Sequence, residues 1–229
     1  MKNSICFLTL LTLLSIYSCS KDDDNTSDCF MPFGSDFFPD DSGITRIYQA
    51  DSVYWDEFTG TKGVKSFEIK EMLAGYFTDG EGRQAMRIER FRKDSTGNWI
   101  IYRVWAHVKT RSAVEVTEEN IRYVKLRFPA DLGTNWNGNI YNTEGEQIYE
   151  IKQTAVADQI SGLNFTNTLH VEEEGLPANL LFDKQQESRY AKGIGLYKKL
   201  KSSLNFDFIS GDTISGYIYT EKLTSYSIP

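Results

Sequence analysis

Runs of alternating apolar and polar residues recur along most of the chain and constrain its fold more than any other feature. The segment 124–128 (VKLRF) alternates without a break, and every second residue from 100 to 108 is apolar or aromatic. A period of two places one set of side chains on a core face and the other toward solvent, as in half-buried β-strands. Turns rich in Gly and Asn, such as 95–98 and 137–139, separate the runs and favour hairpins.

The pattern therefore predicts an all-β, mainly antiparallel domain over residues 44–229, with about eight to eleven strands and little helix. Strands of this kind can form a large curved sheet, a half-barrel or a sandwich, and the pattern does not choose among them. Residues 117–120 are predicted to start one helical turn, and 177–186 to form a short helix or an irregular loop. Neither segment is long enough to connect parallel strands, which agrees with an antiparallel sheet.

The first eighteen residues have the pattern of a secretory signal peptide. Lys2 precedes an apolar run from residue 5 to residue 17, which is shorter than the roughly 20 residues that a membrane-spanning helix needs. The segment 16–19 (IYSC) resembles the bacterial lipobox, which implies that Cys19 is acylated and becomes the first residue of the mature protein. Residues 19–43 are then the lipidated cysteine and a tether, and the acyl chains are the contact with the membrane.

Several later segments, together with the lipobox, resemble a group of uncharacterised Bacteroidetes lipoproteins. They are the acidic stretch SKDDD at 20–24, VKLRFP at 124–129 followed by WNGN at 136–139, LNFTNTLHV at 163–171, and YAKGIGLYK at 190–198. The resemblance implies an outer-membrane location with the domain exposed at the cell surface. A weaker likeness to half-barrel carriers of lipoproteins implies a related fold.

The charge of the chain argues against nucleic acid as a partner, and its cysteine content argues against an intramolecular disulfide. The chain has 25 Lys and Arg against 32 Asp and Glu, a net charge of −7, and no dense basic segment, which argues against nucleic acid as a partner. Cys6 lies in the signal peptide and Cys19 in the lipobox, so Cys29 has no intramolecular partner for a disulfide. It is predicted to be either a small shielded residue or the site of a bond to another chain.

The residues needed for familiar catalytic and metal sites are scarce. The two histidines, His107 and His170, fall out of phase with the apolar positions and are predicted to face solvent or a sheet edge, and no zinc-ligand spacing accompanies them. No Gly-x-Ser-x-Gly motif or phosphate loop is present. We therefore expect no enzyme activity, no metal and no cofactor.

The four tryptophans are the candidate ligand contacts, because an exposed indole can stack on a sugar ring or anchor a protein partner. They are Trp55, Trp99, Trp105 and Trp136, the last of which adjoins a predicted turn. The preferred hypothesis is a non-enzymatic surface lipoprotein that binds a glycan or a protein. The alternatives are a carrier with an apolar ligand inside a half-barrel and a hydrolase with dispersed carboxylates.

Two short features complete the predictions. Gly193 and Gly195 lie two apart in a predicted strand, which indicates a bulge, a bend or the close approach of a bulky group. Ser52 and Thr213 each follow Asp and precede an apolar residue, a pattern that resembles the O-glycosylation acceptor of Bacteroidetes.

Overall fold

The computed structural model describes residues 32–176 and 179–229, which contain twelve strands and a 3-10 helix at Ser35–Phe37. The strands are β1 (Thr45–Asp56), β2 (Thr61–Thr78), β3 (Gln84–Lys93), β4 (Trp99–Lys109), β5 (Ala113–Glu118), β6 (Ile121–Arg127), β7 (Asn135–Asn137), β8 (Ile148–Ile160), β9 (Leu163–Leu176), β10 (Phe182–Ala191), β11 (Gly195–Phe206) and β12 (Thr213–Ser227). In this part of the chain no helix is long and apolar enough to cross a membrane.

All twelve strands belong to one antiparallel sheet with the order β6-β5-β4-β3-β2-β1-β12-β11-β10-β9-β8-β7. Every pair of neighbours is consecutive in the chain except β1 and β12, which join the two halves. The outer strands then approach each other. The Val124 N–H donates to the Gly138 carbonyl at 2.8 Å, and Trp136 Nε1 donates to the Val124 carbonyl at 2.8 Å. The sheet is therefore a nearly closed barrel.

The prediction of an all-β antiparallel fold is confirmed, whereas both predictions of helix are wrong. The segment 117–120 includes the turn of the β5–β6 hairpin, in which Glu119 and Asn120 adopt positive φ. Residues 182–186 of the segment 177–186 belong to strand β10, and residues 179–181 lie in the connection before it. A short polar segment carries little periodicity, so its sheet partners decide its conformation. The described residues contain twelve strands, against the eight to eleven that were predicted.

Residues 32–43, here called the strap, pack on one end of the barrel. Phe37 is buried in the main apolar core, and backbone hydrogen bonds join Phe33 to Ala130 and Asp36 to Gly193. Aromatic residues of the predicted tether thus contribute to the core. The predicted signal peptide, Cys19 and Cys29 lie outside the described residues, and the domain boundaries stay predictions.

Two strands depart from the predicted alternation. On β6, Val124, Lys125 and Leu126 are all buried, and a register shift in the β5–β6 pairing leaves Lys125 without a partner residue on β5. The prediction that Lys125 faces solvent is therefore wrong. On β4, a register shift opposite Arg90 and Phe91 changes the phase of the strand.

The shift on β4 buries a histidine that was predicted to be exposed. His107 is 2% exposed and packs edge-on against Phe38 of the strap, with ring centroids 5.0 Å apart. His170 is partly exposed, at 16%, and lies on the face of β9 opposite the buried Leu169 and Val171, with its Nε2 2.9 Å from a Glu187 carboxylate oxygen. The burial of His107 contradicts the prediction that the two histidines face solvent or a sheet edge, whereas the position of His170 does not.

Candidate ligand-binding site

The barrel interior is charged rather than purely apolar. Glu71 lies between Ile69 and Leu73 on the inward face of β2, and Arg90 follows Ile88 on the inward face of β3. Eight charged side chains on this inward face form what we call the inner ion-pair cluster: Arg46, Glu71, Arg90, Glu118, Lys125, Glu173, Lys199 and Glu221. Glu118 is partly buried and the other seven are buried. Four cations and four carboxylates balance one another in this cluster.

Arg90 is the centre of one half of the cluster. Its Nη2 donates to Glu221 at 2.6 Å, its Nε lies 3.4 Å from Glu71, and its guanidinium lies 4.2 Å from the centroid of the Trp105 ring. Burial alone would lower the pKa of Arg90, but Glu221 and Glu71 outweigh it and raise that pKa. The guanidinium is therefore held charged between two buried carboxylates.

Lys125 and Lys199 hold the other half together. Lys125 Nζ lies 3.5 Å from Glu173 and 3.7 Å from Glu118, and Lys199 Nζ lies 3.4 Å from Glu118. Burial would raise the pKa of Glu118, yet Lys199 and Lys125 outweigh burial and lower that pKa well below its usual range. Burial would also raise the pKa of Glu173, but the positive charge of Lys125 outweighs burial and lowers that pKa. Both carboxylates stay ionised inside the barrel.

Gly195 makes room for the cluster. Its φ of +95° is a conformation that other residues rarely adopt, and a Cβ at this position would lie 2.7 Å from Nη2 of Arg46. Arg46 uses that space to donate from Nε to the Ile194 carbonyl at 2.6 Å and from Nη1 to Glu71 at 2.9 Å. The predicted close approach of a bulky group is made at Gly195 by the guanidinium of Arg46, and Gly193 lies in the β10–β11 turn.

A small space remains beside the inner ion-pair cluster. This inner cavity has a volume of about 50 Å³, and its walls combine apolar residues with charged members of the cluster, among them Arg46, Lys125 and Glu221. A cavity of this size holds at most a few water molecules.

A wider pocket continues outward from the same wall, and we call it the vestibule. Its volume is about 200 Å³. Its lining residues are Arg90, Arg92, Tyr102, Arg103, Trp105, Glu118, Lys199, Lys201, Tyr219 and Glu221. Arg92 and Lys201 each follow a cluster residue by two positions on the same strand, so they lie on the same face one step further out.

Positive charge exceeds negative charge in the vestibule. Of its lining residues five are cations and two are carboxylates. Within the described part of the chain Arg92 and Lys201 make no ion pair; Arg92 instead stacks over Phe67 and Tyr102, at 3.7 and 4.5 Å from their ring centroids. Lys199 and burial together lower the pKa of Lys201 to about 8. The vestibule therefore has the electrostatic character of an anion site.

The predicted tryptophan contacts have different surroundings from one another. Trp105 is buried in the wall of the vestibule, where its Nε1 donates to Glu119 at 3.0 Å. Trp136 is only 6% exposed and packs edge-on against Tyr149, so the expectation that it is solvent-exposed is wrong.

The other two tryptophans are half-buried and covered by lysine side chains. Lys62 Nζ lies 5.0 Å from the Trp55 ring centroid, and Lys70 and Lys93 lie 5.4 and 5.1 Å from that of Trp99. Of the four candidates only Trp105 lines the vestibule. A ligand-contact role for the tryptophans stays a prediction.

Sequence reasoning missed the cations of the vestibule. The signal was present in part, since Arg90 and Arg92, and likewise Lys199 and Lys201, lie two residues apart, although Arg92 and Lys201 fall just beyond the ends of the predicted strands. A charged residue in phase with core positions on several strands indicates an interior charge cluster. These residues come together because β1 pairs with β12, which joins the two halves of the sheet. Local patterns in the sequence do not indicate that pairing.

Comparison with known proteins identifies no family. No protein-family model matches the sequence, and no curated protein matches it. Two crystal structures are similar: a protein of Bacteroides fragilis described as exported and YmcC-like in fold, with a TM-score of 0.45, and a protein of Parabacteroides distasonis described as a lipoprotein, with a TM-score of 0.40. Each is 10% identical; the alignments cover 86% of this chain and 100% and 99% of those chains. Similarity at this level carries no argument about function.

Proposed function

We propose that this chain is an exported, lipid-anchored and non-enzymatic binding protein whose vestibule takes the acidic end group of a glycan. The observation that carries the proposal is the local excess of positive charge. A chain with a net charge of −7 has a pocket with five cations and two carboxylates. Arg103 has an ion pair with Glu119 outside the lining, so the excess rests on Arg92 and Lys201, and a carboxylate or sulfate group of a ligand would reduce it.

The two cations without ion pairs are the groups that such a ligand would contact. Lys201 is close enough to Lys199 for repulsion to lower its pKa, and an incoming anion relieves that repulsion. Hydrogen bonds between a cation and an oxyanion are roughly twice as strong as neutral ones. Arg92 offers a guanidinium that contacts the rings of Phe67 and Tyr102 and has no ion-pair partner among the described residues.

The size of the pocket supports a sugar rather than the surface of a folded protein. Pockets for drug-sized ligands usually have volumes of roughly 300–1,000 Å³. At about 200 Å³, the vestibule suits one smaller group, such as a single acidic sugar residue at the end of a chain. This favours the glycan over the protein partner among the ligands predicted from sequence.

The other two hypotheses receive less support from the described residues. A carrier of an apolar ligand needs a large apolar cavity, whereas the inner cavity is about 50 Å³ and partly lined by charges. A hydrolase with paired carboxylates needs one of them to be protonated. The two carboxylates of the vestibule, Glu118 and Glu221, both have lowered pKa values because lysine and arginine outweigh the effect of burial.

Export and anchoring are tested separately. The proposed location is the outer membrane, with acylated Cys19 in the lipid and the domain at the cell surface. We expect Cys19→Ala to remove the acyl groups from the intact mass and to prevent processing at this position. Protease treatment of intact cells should cleave the wild-type protein. Protection of the protein in intact cells, with cleavage only after lysis, would contradict surface exposure.

Titration calorimetry tests the vestibule. We expect glucuronate and glucose 6-sulfate to bind and glucose, which has no charge, not to bind. Lys201→Met should weaken binding of the acidic sugars by about tenfold or more, because a hydrogen bond to a charged group contributes roughly 1.5–3 kcal/mol. Higher salt should weaken binding as well.

Lys65→Met is the matched control. Lys65 also has an aromatic neighbour, with its Nζ 5.6 Å from the Tyr54 ring centroid, but it does not line the vestibule. This variant should bind the acidic sugars as the wild type does. Equal weakening in both variants, or equal binding of glucose and glucuronate, would refute the proposed site. Binding of an acidic peptide but of neither acidic sugar would favour a protein partner.

A further inference from the structure

Three hairpin ends at the far end of the sheet from the strap carry strongly exposed apolar side chains. Phe58 in the β1–β2 turn is 98% exposed and Ile209 in the β11–β12 turn is 94% exposed. Phe208, Leu180 and Leu181 are also mostly exposed. We call residues 57–60, 179–181 and 207–212 the distal tips. Single exposed apolar residues are ordinary on protein surfaces, but a cluster of them marks an interaction site.

Strand pairing makes the three tips neighbours. Trp55 pairs with Gly216, so the β1–β2 turn and the β11–β12 turn project side by side. The Phe206 N–H donates to the Leu181 carbonyl at 2.9 Å, which joins the β9–β10 connection to the same group. Strand β1 has twelve residues and so is roughly 40 Å long, which separates the tips from the strap.

Behind the tips lies a belt of amphipathic side chains. Trp55, Tyr54 and Tyr217 are partly exposed on the last residues of β1 and the facing part of β12. Lys62 and Lys65 extend over the rings of Trp55 and Tyr54, with Nζ 5.0 and 5.6 Å from the ring centroids. The hydrocarbon core of a bilayer favours apolar side chains, and its headgroup layer favours Trp, Tyr and Lys. The tips and the belt follow one another in that order.

We propose that the distal tips insert their apolar side chains into a lipid bilayer. The side chains project from separate turns, and a fluid lipid layer accepts such projections without a complementary groove. The charges near the tips select the lipid. Asp56, Glu57, Asp207 and Asp212 lie beside the apolar residues and outnumber Lys62 and Lys65 of the belt, which disfavours anionic headgroups, so the bilayer is one with zwitterionic headgroups.

Vesicle co-sedimentation tests this inference. The probe is the chain from residue 20 to residue 229, without acyl groups, which contains every described residue. We expect it to bind phosphatidylcholine vesicles and to bind more weakly when phosphatidylglycerol is added. The double variant Phe58→Ser/Ile209→Ser should reduce binding by about a hundredfold, because both side chains lose their transfer into the apolar layer.

A matched double variant separates insertion from general stickiness. Ile100 and Ile101 on β4 are also about half exposed but lie away from the tips, at 50% and 51%. Ile100→Ser/Ile101→Ser should bind phosphatidylcholine vesicles as the unmodified chain does. Lys201→Met should also bind them normally, since the inference does not depend on the vestibule.

Several outcomes would overturn the inference. One is no binding to phosphatidylcholine vesicles, and another is an equal loss of binding in the tip and β4 variants. A third is a dimer, detected by sedimentation velocity without vesicles, that the tip variant abolishes; the tips would then contact a second copy of the chain instead of lipid.

Discussion

Replacing Arg90 by Met is expected to lower the free energy of unfolding by about 3–5 kcal/mol, the usual effect of removing one partner from a buried ion pair. Arg90 is 2% exposed and is the cation closest to Glu221, at 2.6 Å, with Glu71 at 3.4 Å. Without the guanidinium these two carboxylates lose much of the charge that offsets their burial. Urea unfolding monitored by tryptophan fluorescence measures the change.

Arg87→Met is the control on the same strand. Arg87 also pairs with a glutamate, since its Nε lies 2.9 Å from Glu89, but its side chain is about half exposed. An exposed ion pair contributes at most about 1 kcal/mol, so this variant should unfold close to the wild type. In the double variant Arg90→Met/Glu221→Gln, part of the lost stability should return. Similar losses for Arg90→Met and Arg87→Met would show that the inner cluster does not hold the barrel together.

Acidification from pH 7 to pH 5 is expected to lower the free energy of unfolding by about 2 kcal/mol through His107 alone. Burial, assisted by Arg46 and Lys109 and opposed by Asp40, lowers the pKa of His107 from 6.5 to about 4. Between these values the unfolded chain binds a proton that the folded chain does not. The stability contribution is therefore complete above pH 6.5 and is lost as the pH falls toward 4.

His107→Phe and His107→Gln test this dependence. Neither side chain titrates, so the loss between pH 7 and pH 5 should shrink by about 2 kcal/mol in both variants, whatever their stability at pH 7. Urea unfolding at the two pH values gives the comparison, and His170 is present in every variant, so its contribution cancels. An identical pH dependence in wild type and variants would mean that His107 is not buried under the strap as a neutral group.

The sequence predicts the strands better than it predicts what faces inward. Alternation and turn residues indicated most hairpins, because both are local properties of a sheet. Lys125 and His107 were placed on the wrong side, since register shifts in the β5–β6 and β3–β4 pairs change which side chains are buried. Such shifts depend on how two strands pair, and the periodicity of either strand alone carries no information about them.

The candidate site was harder to predict for the same reason. Exposed aromatic residues were sought as ligand contacts, but of the four tryptophans Trp105 lines the vestibule and Trp136 is part of the core. Arg92 and Lys201 come from β3 and β11, which three other strands separate in the sheet. A pocket built from charges on separated strands becomes visible only when the closure of the barrel is known.

The pKa of the Lys201 ammonium group is the measurement that tests the central claim most directly. Carbon-13 NMR of the lysine Cε, assigned with Lys201→Arg, gives it in the free protein and in the presence of glucose 6-sulfate. Repulsion from Lys199, together with burial, predicts a Lys201 pKa of about 8 in the free protein and an increase when the sulfate group binds. A pKa near the ordinary lysine value of about 10.4, unchanged by the ligand, would contradict an anion site in the vestibule.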